Sequence, residues 1–477
     1  MTARRSMRPV TAAALLYAAS AQALPVYAQD FSSNEAVRLP DPDPAPLSVD
    51  AESDPILAVG VSHVDQAEFH RFIVDAIKAN PSLSEGQADV TAALASKRAA
   101  DSVQLPRVDL AVSANKAIAR EFSNDPDNVI ERARGSGRVD ATAKLEQVIV
   151  DFGASRRRID AAIERIAEAE AEYDRKSEAI ALRAIGAWYD LFAYSHLSEL
   201  AENFIAQNEK LRVSVDIRIA QGVAAPVERA QVDSRIASAR LRSAQYRREL
   251  ANARARFQEL FSLEAPFRIF RAPTPELERL TGDALTARAE TSTPVRVAEA
   301  SARAARADAD AARGDAQPNI TVGVDAGRFG LYEPGRRDYD IRGVLTFRYR
   351  LFGPGRARAD EARAKADAAY ARALNTRLEA VREARIAWTD VGLLDDMLSA
   401  NRADYAANRI TRDAVVERFR VSRGTLYDAL DSEDRLFTAA ANYIRAMSER
   451  DVATFVALAR SGDLLRLLET TPAEKGM

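Results

Sequence analysis

The sequence predicts a mainly α-helical chain with a membrane-facing β component, built from a helix, β-hairpin, long helix and return helix unit that occurs twice. Three observations predict it. The composition is 47% hydrophobic, 29% charged and only 7% aromatic, a balance that suits long amphipathic helices better than compact sheet cores. Residues 154–221 and 356–421 each run without proline and with one glycine, Gly186 and Gly392. Finally, motifs recur at a constant offset of 200 residues: Phe152-Gly153 as Phe352-Gly353, and Ala187-Trp188-Tyr189-Asp190 as Ala387-Trp388-Thr389-Asp390. The same offset matches Arg158 with Arg358, Asp160 with Asp360 and Glu228 with Asp428, so the chain reads as an internal duplication.

The first 28 residues read as a secretory signal. Arg4, Arg5 and Arg8 form its basic start, an apolar run follows from Val10, and Val26-Tyr27-Ala28 offers a cleavage site, with Ala21-Gln22-Ala23 as an alternative. From a formal net charge of −3, losing three arginines and no acid leaves a mature chain near about −6. Residues 29–64, acidic and proline-rich ("RLPDPDPAPLSVDAESDP"), are expected to be a flexible N-terminal segment. The first repeat is assigned to 65–262, an inter-repeat connector to 263–293, the second repeat to 294–462 and a tail to 463–477.

Each repeat opens with a shorter helical stretch, near 66–103 and 294–315, that ends before a Leu-Pro or a Gln-Pro. Alternating segments follow. In "RRDYDIRGVLTFRYRLF", Tyr339, Ile341, Leu345, Phe347, Tyr349 and Leu351 fall on one face, and Asp338, Asp340, Arg342, Thr346, Arg348 and Arg350 on the other. That length and period are those of a transmembrane barrel strand. "RVDLAVSAN", "NITVGVDAG" and "RVDATAKLE" repeat the pattern, the last slipping phase near Gln147, where a bulge is expected. The loops between the members of each pair, "FSNDPDNVIERARGSG" and "RFGLYEPGR", carry the turn residues of hairpins. After Phe-Gly come the uninterrupted stretches, each roughly 100 Å long if helical throughout. The turns "QGVAAP" and "VSRGT" then lead into return helices near 226–262 and 424–462.

Several function classes are excluded. Asp151-Phe152-Gly153 after three β-branched residues has the look of a kinase metal-binding motif, yet no Gly-rich loop or His-Arg-Asp loop accompanies it, and its Asp becomes Leu351 in the second copy. There is no cysteine, which removes disulfides, thiolate metal sites, a cysteine nucleophile and a lipid-anchored N-terminal cysteine. His63, His70 and His196 have no metal-like spacing, no residue set suggests catalysis, and the acidic balance gives no support for nucleic-acid binding. Neither a metal nor a cofactor is expected. Trp188 and Trp388 are expected in core positions.

After the signal no run of about eighteen apolar residues appears, so a membrane span must be a β-barrel. Four strands per chain leave two unpaired edges, and chains must associate to close them. Two copies give eight strands and a filled interior; three give twelve and a water-filled lumen. A duct follows from the pattern, and the number of copies stays open at this point.

The order of elements, present twice, together with "LPRVDLAVSA", "QVIVDFGASRRRIDAA" and "GTLYDALDSEDRL", resembles the TolC-like outer-membrane factor family over about residues 65–462. The resemblance implies a homotrimer in outer-membrane lipid, with a twelve-stranded β-barrel continuing into a periplasmic α-helical barrel. It also implies two partners, a periplasmic adaptor (membrane fusion) protein and an inner-membrane pump of the ABC or RND type. The family's paired acids at the pore constriction correspond to Asp428 and Asp431. Its closing gate network corresponds to Glu228, Phe419 (where the family has Tyr) and Arg423, beside Gly424 where the family has Arg. The adaptor-contact tips correspond to Gly222, Ser422 and Gly424. The implied function is an exit duct without enzymatic activity, with type I protein secretion as the first reading of the cargo and drug or metal efflux as the alternative. A soluble periplasmic coiled-coil adaptor or scaffold is the rival from another class.

Overall fold

The computed structural model describes residues 37–43, 49, 53–61, 63–119, 121, 137–266, 268–275, 281–332, 338–421 and 423–469. The signal segment, Ser422 and residues 470–477 lie outside the described residues. The first repeat comprises α1 (Gln66–Ala79), α2 (Pro81–Ser102), β1 (Arg107–Lys116), β2 (Gly137–Val150), α3 (Ala154–Ala220) and α4 (Pro226–Phe261). The connector holds α5 (Gly282–Ala289). The second repeat comprises α6 (Thr293–Asp315), β3 (Asn319–Phe329), β4 (Asp338–Arg348), α7 (Gly355–Arg420) and α8 (Leu426–Ser461), and α9 (Leu464–Glu469) follows.

The long helices match the expected spans to within a residue. α3 has 67 residues and α7 has 66, about 100 Å each. The stretch expected as one helix over 66–103 is two, because Pro81 cannot donate into a continuing helix. Asn80 adopts an extended conformation, and its side chain caps the new start by accepting the Ser82 N–H at 3.0 Å. Ion pairs knit α3 to α6 along their length, among them Arg303–Glu164 and Arg296–Asp174, both at 2.7 Å.

The main core gathers Phe69 of α1, Trp188 of α3, Phe257 and Phe261 of α4 and Phe455 of α8. Phe69 meets Trp188 edge-on at 5.3 Å between ring centres. The indole N–H of Trp188 donates to the Phe270 carbonyl, and the Tyr189 hydroxyl to that of Ala272, both at 3.0 Å. These bonds dock the connector against the first repeat. Trp388, the duplicate of Trp188, is only partly buried at the margin of the same core.

Two segments expected to be loose are packed where they are described. Val37, Leu39, Ile56 and Leu57 are buried in the main core, as are Leu464 and Leu468 of the tail. Composition misleads here because a few apolar residues spaced among prolines suffice to anchor an extended strap. Polar bonds add to the hold: Asn203 Nδ2 donates to the Val37 carbonyl and Gln207 Nε2 to that of Leu39, each at 2.9 Å.

The four strands form one antiparallel sheet in the order β1-β2-β3-β4. Each repeat contributes a hairpin, and β2 pairs with β3 across the repeats. The irregularity expected near Gln147 lies between Val148 and Val150. β2 starts at Gly137 and β3 runs on to Phe329. No helix among the described residues is long and apolar enough to cross a membrane.

Candidate functional site

The sheet sorts its side chains by face through its middle rows, with Gln147 and Arg328 among the exceptions on the apolar side. One row across all four strands, Leu110, Ala143, Ala326 and Ile341, is wholly apolar. This face looks outward with nothing on it: Leu110 is 78% exposed, and Val112, Tyr339, Leu345 and Phe347 are also bare. The next row, on the opposite face, is Asp109, Lys144, Asp325 and Arg342, alternating in charge from strand to strand. Opposite charges directly across antiparallel strands favour this register, and a slip by one residue would move every apolar side chain to the wrong face. The arrangement suits a sheet with lipid on one side and water on the other.

At the strand-to-helix joint, Phe152 and Gly153 both take positive φ, 52° and 85°. The Asp151 carboxylate accepts the N–H groups of Gly153 (3.0 Å) and Ser155 (2.7 Å). Asp151 therefore caps the start of α3, which is the physical meaning of the kinase-like triplet. Its replacement by Leu351 is accommodated because α7 starts at Gly355 behind Pro354 instead. Phe152 and Phe352 stand exposed at the two joints, as aromatic residues do at a membrane interface.

At the far ends of the long helices, the turns α3–α4 and α7–α8 carry the residues assigned to the entrance. Their equivalence holds in detail. Glu228, third residue of α4, accepts the Ala225 N–H at 3.3 Å, and Asp428, third residue of α8, accepts the Thr425 hydroxyl at 2.7 Å. The Thr425 oxygen in turn accepts the Asp428 N–H at 3.1 Å. Both acids thus stabilise helix starts by capping and by the local dipole. Asp431 pairs with Arg435 at 2.9 Å. At 100° per residue, Asp428 and Asp431 share a face of α8 opposite Ala429 and Leu430, which are buried in the tip core.

Glu228, Phe419 and Arg423 are not brought together within one chain: among the described residues no hydrogen bond or ion pair joins them. Phe419 is buried in the tip core with Val215, Val232, Ile236 and Leu426. The Arg218 guanidinium lies 4.5 Å over its ring and donates to its carbonyl at 3.3 Å. A cation–π contact thus holds the position where a tyrosine hydroxyl was sought. Arg423 is exposed, and its backbone N–H donates to the Arg418 carbonyl at 2.9 Å, closing the α7 end. Gly222 takes φ 76°, a left-handed turn position. At Gly424 a Cβ would come within 3.1 Å of the Phe419 nitrogen, so the tight turn leaves no room for a larger residue without a shift.

Behind the tips lies a charged cluster that sequence reading missed. Arg412 and Asp413 of α7 are both 0% exposed. Arg412 pairs with Asp413 (2.7 Å) and Glu433 of α8 (3.1 Å), and donates to the Pro40 carbonyl at 2.6 Å. Asp54 is clasped by Arg409 and accepts the Tyr405 hydroxyl at 3.0 Å. Burial pushes the carboxyl groups of Asp413 and Glu433 upward, against the pull of the Arg412 guanidinium. These bonds tie the N-terminal strap to α7, close to the end of the helix that carries the turn. The signal in the sequence was weak: arginines at 409 and 412 on a helix rich in arginine throughout. A second cluster pairs Arg271 with Asp451 at 2.6 Å, and Arg271 also donates to the Gly60 carbonyl.

The model of the outer membrane efflux protein family matches residues 72–261 and 287–460, well over half of the chain. No curated protein matches the chain. Among solved structures, the CmeC outer membrane channel of Campylobacter jejuni aligns with a TM-score of 0.73 at 16% identity, over 84% of this chain and 89% of that one. The outer membrane protein VceC of Vibrio cholerae gives 0.71 at 18% identity, over 83% and 96%. The open state of the Neisseria gonorrhoeae MtrE outer membrane channel gives 0.67 at 18%, over 83% and 89%. At these identities the structural likeness shows the fold.

Proposed function

This chain belongs to the outer membrane efflux protein family, as an outer-membrane channel with a long helical part on the periplasmic side, and on that premise we propose that three copies close into the exit duct of a tripartite export system. The observation that carries the reading is the apolar sheet face, continuous across four strands and ending in two unpaired edges, β1 and β4. Three copies supply twelve strands, enough for a lumen lined by the charged face. The helical part offers a matching surface: Tyr370, Leu378, Ile386, Leu393 and Met397 of α7 are exposed and are covered by neighbouring copies in a helical barrel.

The turns at the ends of α3 and α7 form the periplasmic entrance. Gly222, Ser422 and Gly424 mark the tips that meet an adaptor protein, which links the duct to an inner-membrane pump of the ABC or RND type. Asp428 and Asp431 from three copies give six carboxylates round one opening, a ring that attracts cations. Glu228, Phe419 and Arg423 belong to the contacts between neighbouring tips in the closed state. The duct passes cargo without making or breaking bonds. The domain limits follow the same reading: signal 1–28, N-terminal segment 29–64, repeats 65–262 and 294–462, connector 263–293 and tail 463–477.

For the cargo we propose a polypeptide in one-step secretion, supported by the similarity of "FRVSRGTLYDALDSEDRLFTAAANYIRA" to secretion-type members and by the absence of cysteine. Export of small toxic compounds is the second reading, favoured by the efflux description of the family. A strain lacking this chain separates them. Loss of a polypeptide from the culture medium with unchanged compound tolerance supports secretion; sensitisation to drugs or metals with an unchanged medium supports efflux.

A further inference from the structure

The closed barrel proposed above leaves open which residues meet where β4 of one copy adjoins β1 of the next, and the register within one sheet narrows that choice. A single cross-strand row passes through Arg107 of β1, Glu146 of β2, Gly323 of β3 and Val344 of β4. Pro106 and Pro318 mark the periplasmic starts of β1 and β3. The row lies one residue beyond the first and five beyond the second, a climb of four over two strands. The Phe-Gly joints mark the periplasmic ends of β2 and β4. The row lies six residues above Phe152, one of them the extra residue of the bulge between Val148 and Val150, and eight above Phe352, a climb of two to three over two strands.

Four strands together therefore climb by between four and eight residues before the next copy begins. An odd number would turn apolar side chains into the lumen. With ordinary strand rise and spacing, eight tilts the strands by roughly 55°, well past the about 35–45° of membrane barrels, whereas four gives roughly 35° and six roughly 47°, which leaves four or six. At four, Arg348 stands directly opposite Arg107 of the partner subunit, and like charges there are destabilising. At six, Arg348 stands opposite Asp109 of the partner subunit, Arg350 comes level with Arg107 of the partner subunit only two residues past the end of β4, and on the outer face Phe347 meets Leu110 of the partner subunit.

We infer that the seam is closed at the register of six, with Arg348 and Asp109 of the partner subunit forming its charged pair. The two side chains suit that use. Arg348 is exposed and makes no ion pair with any described residue, while Asp109 pairs with Arg107 of its own strand at 3.0 Å and stands across from Lys144 of β2, with half of its side chain still exposed. One exposed pair adds little stability. Its effect is on specificity, because a slip of two residues replaces attraction by repulsion at the same place.

The chain contains no cysteine, so paired substitutions report the seam without background. Asp109→Cys with Arg348→Cys, in outer membranes under mild oxidation, is expected to shift most of the chain to bands of two and three covalently joined copies. Leu110→Cys with Phe347→Cys tests the same register with the charges intact. Arg107→Cys with Arg348→Cys samples the register of four, and Asp109→Cys with Arg342→Cys an untilted sheet; both are expected to stay as single chains. The mass of the native complex is measured for every variant and for the cysteine-free parent. Crosslinking only at the register of four, or at none of the pairs within intact trimers, overturns the seam assignment while the barrel stands. A parent that is not trimeric overturns the barrel reading and the seam with it.

Discussion

At the scale of single residues, Asp428, Asp413 and Glu178 show three situations for an acid among the described residues: capping a helix, clasped by arginine, and buried with little compensation. Asp428 caps α8, and Asp431 shares its exposed face without a capping duty. Asp431→Asn should therefore lower cation selectivity in planar bilayers with little effect on stability, and the pair Asp428→Asn with Asp431→Asn should lower it further. Unchanged selectivity in the double variant would contradict the ring. Arg412 is the reverse case: Arg412→Ala removes the nearer guanidinium from the buried acid Asp413, leaving it Arg409 at 3.8 Å, and takes the Arg412 partner from Glu433, and should cost about 3–5 kcal/mol in denaturant unfolding.

Glu178 of α3 is 7% exposed, and burial raises its pKa from 4.5 to about 7, partly offset by a hydrogen bond with Thr293. The folded value lies above the unfolded one, so this contribution to stability is full below pH 4.5 and is lost as pH rises through about 7. Glu178→Gln should match the parent near pH 4.5 and exceed it by roughly 1–3 kcal/mol at pH 8, read from denaturation midpoints at the two pH values. Equal stability at both would show that Glu178 ionises without penalty.

Elements were legible in this sequence to the degree that one period ruled them. Residues 154–220 and 355–420 contain no proline and one interior glycine each past the first turn, so the helices could be placed almost to the residue. The strands were legible because lipid on one side and water on the other demand strict alternation. What stayed hidden depended on contacts distant in sequence. Pro81 in an otherwise helical stretch needed the Asn80 cap to become a boundary. Val37 and Pro40 are held by α3 and α7 side chains some 160 to 370 positions away, which no local pattern reveals. The entrance residues were found by likeness to a family, and their capping duties emerged only from geometry. On the lipid face, Leu110→Arg should destabilise the assembled sheet by about 2–4 kcal/mol, whereas Ser113→Arg on the opposite face should be tolerated. Equal effects in a detergent unfolding assay would remove the distinction between the faces.

At the scale of the whole molecule, the duplication explains why one chain carries two hairpins and two long helices. Among the described residues its sheet has two unpaired edges and its apolar face no cover. The central claim is that copies of this chain close into a membrane duct, and the most direct test is the mass of the complex extracted from outer membranes in mild detergent, measured beside its single-channel conductance. A trimer with a small, cation-selective conductance is expected. A monomer or dimer released by salt without detergent, and without conductance, would contradict it and leave the strands as a water-facing sheet on a helical scaffold.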